Sequence, residues 1–381
     1  MTQSPAKKSF FNRNVDLMNG PIFKSLFIFM LPILVSCLFQ QLYNTVDTMI
    51  VGNVLGDTAL AAIGSCGSIY ELLVGFGLGI GNGLAIVAAR SYGAQDHDLL
   101  KKTVAGSLVI GLIASLCITL AGAVGLRPLL VLLDTPAEIL EDAYRYIIVI
   151  DYGVLVMFAY NLCAGLLRAI GNSVMPLVFL LISSGLNVVL DLLFIARMGM
   201  GVQGAAVATV LSRYTETAIV VIWAHTHEKE NTYMTGLYKT LSVPRDHVKK
   251  YFIKGTPLLL NEALWSFGMA VLAQNYSVRG LTVIAAMNIA NTINNLFSVV
   301  FAAMGESVAI IVGQALGFGD MKRAREIDNK MIVSCVLISF AVSVFMFLFA
   351  PFFPRIYNTT EAVRKAAMGL VLAQAEFIPQ N

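Results

Sequence analysis

Ten stretches of predominantly apolar residues recur along the chain, near residues 25–50, 59–89, 104–126, 139–167, 174–195, 203–224, 251–274, 281–313, 331–354 and 362–378. Nearly all approach or exceed the ~20 residues an α-helix needs to cross the hydrocarbon core of a bilayer; the last is incomplete as a span. Lipid offers no hydrogen-bond partners, so a crossing segment must satisfy its own backbone, as a helix does. The expected fold is an all-α integral membrane protein. Composition agrees: 57% of the residues are hydrophobic and 13% are charged, against about 25% charged in a soluble domain.

Basic residues orient the spans. With the N-terminus inside and the connections assigned alternately, eighteen Lys and Arg fall on inner segments. Seven fall outside: Arg127, Arg145, Arg197, Arg279, Arg355, Arg364 and Lys365. Arg213 lies within a span. This bias predicts a cytoplasmic N-terminus in a multi-pass plasma-membrane protein. Residues 1–24 then form a cytoplasmic lead, and no small-residue cleavage site follows it as in a signal peptide. The net charge of +3, without basic runs interleaved with aromatics, argues against nucleic acid as a partner. The five cysteines are widely spaced in apolar runs with no CxxC, which reads as packing.

A weak internal duplication organises the chain. FIFMLPIL (residues 27–34) resembles FIKGTPLL (residues 252–259) at an offset of 225, and SYGAQD (91–96) resembles ALGFGD (315–320) at 224. LAAIG from Leu60 matches IAAMN from Ile284 at the same 224. Between the copies lies the most polar stretch, residues 225–250. The expected organisation is a six-helix lobe over 25–224, a cytoplasmic linker over 225–250 and a second lobe over 251–381. Six spans is an even number, so the copies share one orientation, a parallel-repeat transporter architecture. On this count the second repeat is truncated after about four of its helices.

GPIFKSLFIFMLPILVSCLFQQLYNTVDTMIVGNVLGDTALAAIG, the glycine-rich helix ending in AARSYGAQD, the turn LRAIGNSVMP and NVVLDLLFIARMGMGVQGAAVAT together resemble the multidrug and toxic compound extrusion (MATE) family, in order and spacing over essentially the whole chain. The resemblance implies two six-helix lobes around a central cleft. It also implies a cation-coupled antiporter that exports amphipathic, often cationic, organic compounds in exchange for H⁺ or Na⁺.

Acids inside spans are the first candidates for chemistry, because a carboxylate in lipid is costly. At ~1.5 Å per helical residue, Asp47 and Asp191 fall in the outer half of the first lobe, as does Thr209. Asn187 precedes Asp191 by four residues and shares its helix face. Two carboxylates, an amide and a hydroxyl make an all-oxygen set suited to a hard cation, a candidate Na⁺ site. The same residue types also close interhelical hydrogen bonds. The resemblance assigns Asp47 and Asp191 to the family's cation site and Asn187 and Thr209 to its polar neighbours. It likewise matches Glu262, early in the seventh helix, to a coupling acid, with a structural hydrogen bond as the alternative.

Glu71, Asp151, Arg213, Glu216 and Glu306 also lie in or near spans, and Arg213 and Glu216, three apart, can neutralise each other. Gly75, Gly79 and Gly83 form one small-residue face and Gly77 and Gly81 the opposite one, suiting close packing on both sides. Pro32 removes a backbone hydrogen bond and would kink the first helix. HEKEN lacks the second histidine of a zinc-protease motif, and no nucleotide loop occurs. The reading is therefore a transporter, not an enzyme. It has no cofactor beyond its coupling ion, and its partners are small organic substrates and the bilayer. The chain is expected to be a monomer. The alternative is a flippase for lipid-linked oligosaccharides, which a polybasic cleft would favour.

Overall fold

The computed structural model describes residues 15, 17, 21–228, 231, 234, 264, 268, 271–272, 275, 279, 281–319, 321–356 and 360–377. Its helices are α1 (Ile22–Leu55), α2 (Asp57–Ser65), α3 (Gly67–Gly93), α4 (His97–Leu132), α5 (Ala137–Tyr152), α6 (Val154–Ala169), α7 (Val174–Asp191), α8 (Gly201–Thr226), α9 (Leu281–Phe318), α10 (Met321–Phe349) and α11 (Glu361–Phe377). A π-type segment, Leu192–Arg197, prolongs α7. Among the described residues seven helices are long and apolar enough to cross a membrane, or eight if the bent pair α5–α6 is one span. Most of the span expected at 251–274, Glu262 included, lies outside the described residues.

Lipid as solvent explains the surface. Val124 (81% exposed) on α4 and Leu348 (62%) on α10 are among many large apolar side chains facing outward, an arrangement that water would penalise over so wide an area.

Two expected spans are interrupted. The stretch near 59–89 breaks at Cys66 into α2 and α3, and the stretch near 139–167 bends by 45° between α5 and α6. Hydropathy runs unbroken through both sites, so it cannot register them. At the second break a Cβ on Gly153 would lie 2.5 Å from Val210 Cγ2; glycine is what lets α8 approach there. Pro32, by contrast, does not end α1, which runs on to Leu55 and is 34 residues long in all. Ser36 Oγ donates to the Pro32 carbonyl at 2.8 Å.

Caps and turns at the basic end are locally specified. Asp96 accepts from the Leu99 N–H at 2.9 Å and caps α4, an interaction whose loss costs ~1 kcal/mol. In the α6–α7 turn Gly171 has φ 91° and a Cβ there would lie 2.7 Å from the Val15 carbonyl. That turn therefore needs glycine twice over, for its dihedral and for the close approach of Val15. Asn172 caps the next helix, accepting from the Met175 N–H at 3.1 Å.

The buried side chains fall into three clusters, and their membership describes the shape. At the basic end one cluster contains Phe29, Ala88, Ala89 and Leu167 together with Ile310, Ile311, Ala315 and Ile327. It therefore joins the first and second halves of the chain. At the opposite end Val51, Leu130, Ile147 and Val202 form a cluster from the first half alone. Ala290, Met346, Ala367 and Val371 form another from the second half alone. The halves are fused at one end and packed separately at the other.

The fused end is a close crossing of α3 and α9. A Cβ on Gly93 would overlap the Gln314 carbonyl, and one on Gly317 would overlap the Arg90 carbonyl. Each of these contacts is the other shifted by 224 residues with the partners exchanged, the reciprocity of an interface with a two-fold axis. Around the crossing, Arg168 on α6 pairs with Glu306 on α9, and Gln314 Nε2 donates to the Ala169 carbonyl at 2.6 Å. Of the alternating glycines, Gly77 and Gly81 lie against the α6 backbone, whereas Gly75 and Gly79 have nothing within 4 Å of a notional Cβ. At Gly75 and Gly79 the expectation of close neighbours on both faces is corrected, and Gly75 lines a cleft.

Candidate functional site: an acid pair beside an inter-half cleft

Helix α1 carries the first acid. Tyr43 and Asp47 are one turn apart, and the Tyr43 hydroxyl donates to Thr209 Oγ1 on α8 at 3.2 Å. Helix α7 brings Asn187 and Asp191, both fully buried. With its NH₂ turned to Asp191, the Asn187 amide donates to Oδ2 at 2.8 Å, and its oxygen accepts from the Thr209 N–H at 3.2 Å. The Asp47 and Asp191 carboxyls come within hydrogen-bonding reach of each other. The consecutive helices α7 and α8 thus meet the distant α1 in one cluster of four of the expected residues.

The cluster is short of donors. Asp47 Oδ1 and Asp191 Oδ1 are buried with no hydrogen-bond partner among the described residues. Two carboxylates side by side repel unless a proton or a cation lies between them, and such a pair titrates as a unit. The arrangement can therefore hold one positive charge, as H⁺ or as a metal cation. No group of three or more His, Cys, Asp or Glu with metal-holding geometry occurs among the described residues, which leaves the neutral oxygens to complete any coordination. Asn187 has its oxygen turned to the Thr209 backbone, so in this arrangement it orients Asp191. Thr209 Oγ1 accepts from Tyr43 and stays beside the pair.

Tyr43 is the residue that sequence reading passed over. Its signal was available: a polar residue four positions before a buried acid shares its helix face. Tyr70 and Tyr146 also stand close enough to Asp47 to feel its charge.

A cleft of about 720 Å³ lies between α1, α3, α6 and α9. Its wall is rich in amides: Gln40, Gln41 and Asn44 on α1, Asn82 on α3, Asn161 on α6 and Asn295 on α9. Helical spacing puts Cys37, Gln40, Gln41 and Asn44 on one stripe of α1. Glu71, Arg213 and Glu306 are its charged lining. Glu306 is held by Arg168. Arg213 is held by Glu216 at 2.7 Å, the neutralisation expected from their spacing. Asp151 lies elsewhere, fully buried against Gly122 with neither carboxylate oxygen partnered among the described residues.

The MatE family model matches residues 32–193 and 257–381. The chain is 23% identical over 333 residues to the probable multidrug resistance protein YoeA of Bacillus subtilis, covering 86% of this chain and 72% of that one. It is 22% identical over 350 residues to the multidrug export protein MepA of Staphylococcus aureus, covering 91% and 76%. Among solved structures, it resembles an outward-facing MATE family transporter with a TM-score of 0.87 at 25% identity, covering 97% of this chain and 82% of that one. A MATE structure in the straight conformation gives 0.86 at 26%, covering 96% and 81%. The family match spans most of the chain, and the helices supply the spans it requires: this protein belongs to the MatE family and is a multi-pass membrane transporter, not an enzyme.

Proposed function

We propose that the chain exports amphipathic organic compounds, cationic ones among them, across the plasma membrane in exchange for H⁺ or Na⁺. The observation that carries this reading is the donor-poor pair of half-buried Asp47 and buried Asp191, each with a buried unpartnered oxygen, beside a cleft lined by both halves. The pair takes up the coupling ion, with Tyr43, Asn187 and Thr209 setting its geometry and Glu262 as a further coupling acid. Two parallel repeats, a lobe from 25–224 and a lobe from 251 onward joined by the 225–250 linker, rock about the α3–α9 crossing. The reciprocal contacts of Gly93 and Gly317 support that symmetry. Taking the basic end as cytoplasmic, with the N-terminus there, the cleft of this structure faces outward. The names of YoeA and MepA support the substrate class. The flippase alternative has less support, since among the described residues Arg213 is the single base lining the cleft and Glu216 offsets it.

The test is transport in proteoliposomes. Ethidium should accumulate against its gradient when an oppositely directed Na⁺ or H⁺ gradient is imposed, and should not be concentrated without one. Failure of both ion gradients to concentrate ethidium would overturn the antiport reading.

A further inference from the structure

The cleft wall holds a cation that the coupling mechanism does not use. The Arg213 side chain is 11% exposed, and its guanidinium lies 5.8 Å from the Tyr43 ring centroid and 5.4 Å from that of Tyr160. Flat guanidinium against aromatic faces is a favourable arrangement that also fixes where its N–H groups point. One nitrogen, Nη1, is committed to Glu216 Oε2. Nε and Nη2 have no protein partner among the described residues, and neither is sealed from the cleft that Arg213 lines. Glu216 is fully buried beneath and its second oxygen has no hydrogen-bond partner there. The dyad is thus built from below and open from above. In the same cleft Glu71 is exposed and has no ion-pair partner among the described residues.

A guanidinium with unused forked donors is the side chain best matched to a carboxylate or similar oxyanion. A free carboxylate in the same cavity is matched to an ammonium or delocalised cation. We infer that Arg213 is an anion-docking point in the cleft wall, so that the preferred substrates are zwitterionic amphiphiles whose oxyanion binds Arg213 while their cation is drawn to Glu71. This rests on the export reading for its meaning but concerns binding alone. It narrows the substrate class from simple cations to compounds that carry both charges.

Rhodamine 110 and rhodamine 123 are matched probes, because the second is the methyl ester of the first and lacks only the carboxylate. Fluorescence polarisation with the purified 381-residue chain in detergent needs no ion gradient. Wild type should bind rhodamine 110 about tenfold or more tightly than rhodamine 123, the worth of a charge-assisted contact. Arg213→Gln alone strands Glu216 as a buried charge and risks the fold, so the decisive variant is Arg213→Gln with Glu216→Gln, which removes both charges together and leaves a polar amide at each position. That variant should bind the two dyes equally, by loss of rhodamine 110 affinity with rhodamine 123 unchanged. Glu71→Gln should weaken both. Equal binding of the dyes by wild type overturns the inference, as does a double variant that keeps the preference. Absence of gradient-driven ethidium transport with the dye preference intact would sink the antiport reading and leave anion docking standing.

Discussion

Ala89 on α3 and Gly313 on α9 face each other across the join between the two halves, with a Cβ on Gly313 lying 3.5 Å from that of Ala89. The residues are 224 apart, the repeat offset itself, so each is the other's counterpart and both sit on the line that exchanges the halves. A motion that opens the basic end must separate them, and they are placed where a covalent tie would forbid it.

Cβ atoms 3.5–4.5 Å apart admit a disulfide. With the five native cysteines replaced, Ala89→Cys with Gly313→Cys should cross-link under mild oxidant. Transport should fall to background and return on adding a reductant. Undiminished ethidium flux by the fully cross-linked protein would show that the basic end need not open.

Asp47→Asn removes one member of the acid pair while keeping its size. Ethidium efflux from cells should be lost, with the amount of protein in the membrane unchanged. Efflux at the wild-type rate at equal expression would remove Asp47 from the coupling machinery.

The polar neighbours should separate the two driving ions. Thr209→Val deletes a neutral oxygen beside the pair, so Na⁺-driven transport should weaken more than transport driven by a pH gradient alone. Tyr43→Phe loses one hydrogen bond to Thr209, worth ~1 kcal/mol, and should produce a milder form of the same bias, roughly fivefold. Asn187→Ala strips Asp191 of its amide donor and should depress both drives, Na⁺ the more. Equal losses in all three variants under both drives would reduce these residues to packing.

Arg168 and Glu306 are mostly buried, and each leaves the other uncompensated if neutralised alone. Breaking such a pair costs about 3 kcal/mol, whereas replacing both partners by apolar groups costs far less. Arg168→Met or Glu306→Leu alone should therefore lower the melting temperature in detergent clearly more than the two together. Additive shifts would mean that the ion pair contributes nothing to the join.

Sequence alone determined the solvent. Runs of apolar residues near span length admit helices in lipid and little else, because every backbone donor and acceptor must be satisfied within the segment. The offset of 224 shared by SYGAQD, LAAIG and their second copies, within one residue of that for FIFMLPIL, already contained the reciprocity seen at Gly93 and Gly317. Asp47, Asp191, Asn187 and Thr209 were legible as candidates because charge and polarity are expensive in lipid and depth follows from counting residues.

Tertiary structure alone decided how those candidates meet. Residue spacing sets the angle around one helix and says nothing of the rotation of α1 against α7 and α8, so neither the Tyr43–Thr209 bond nor the facing carboxyls could be counted out. The breaks at Cys66 and Gly153 were invisible because apolarity continues through them, while the backbone turns where a neighbour's packing requires it. The Asn187 amide points its NH₂ at Asp191 because its other face meets the Thr209 N–H, a choice made by a partner twenty-two residues away. Which ends of the halves are fused, and where a cleft remains between them, follow from buried contacts among residues more than a hundred positions apart, and no local pattern carries that information.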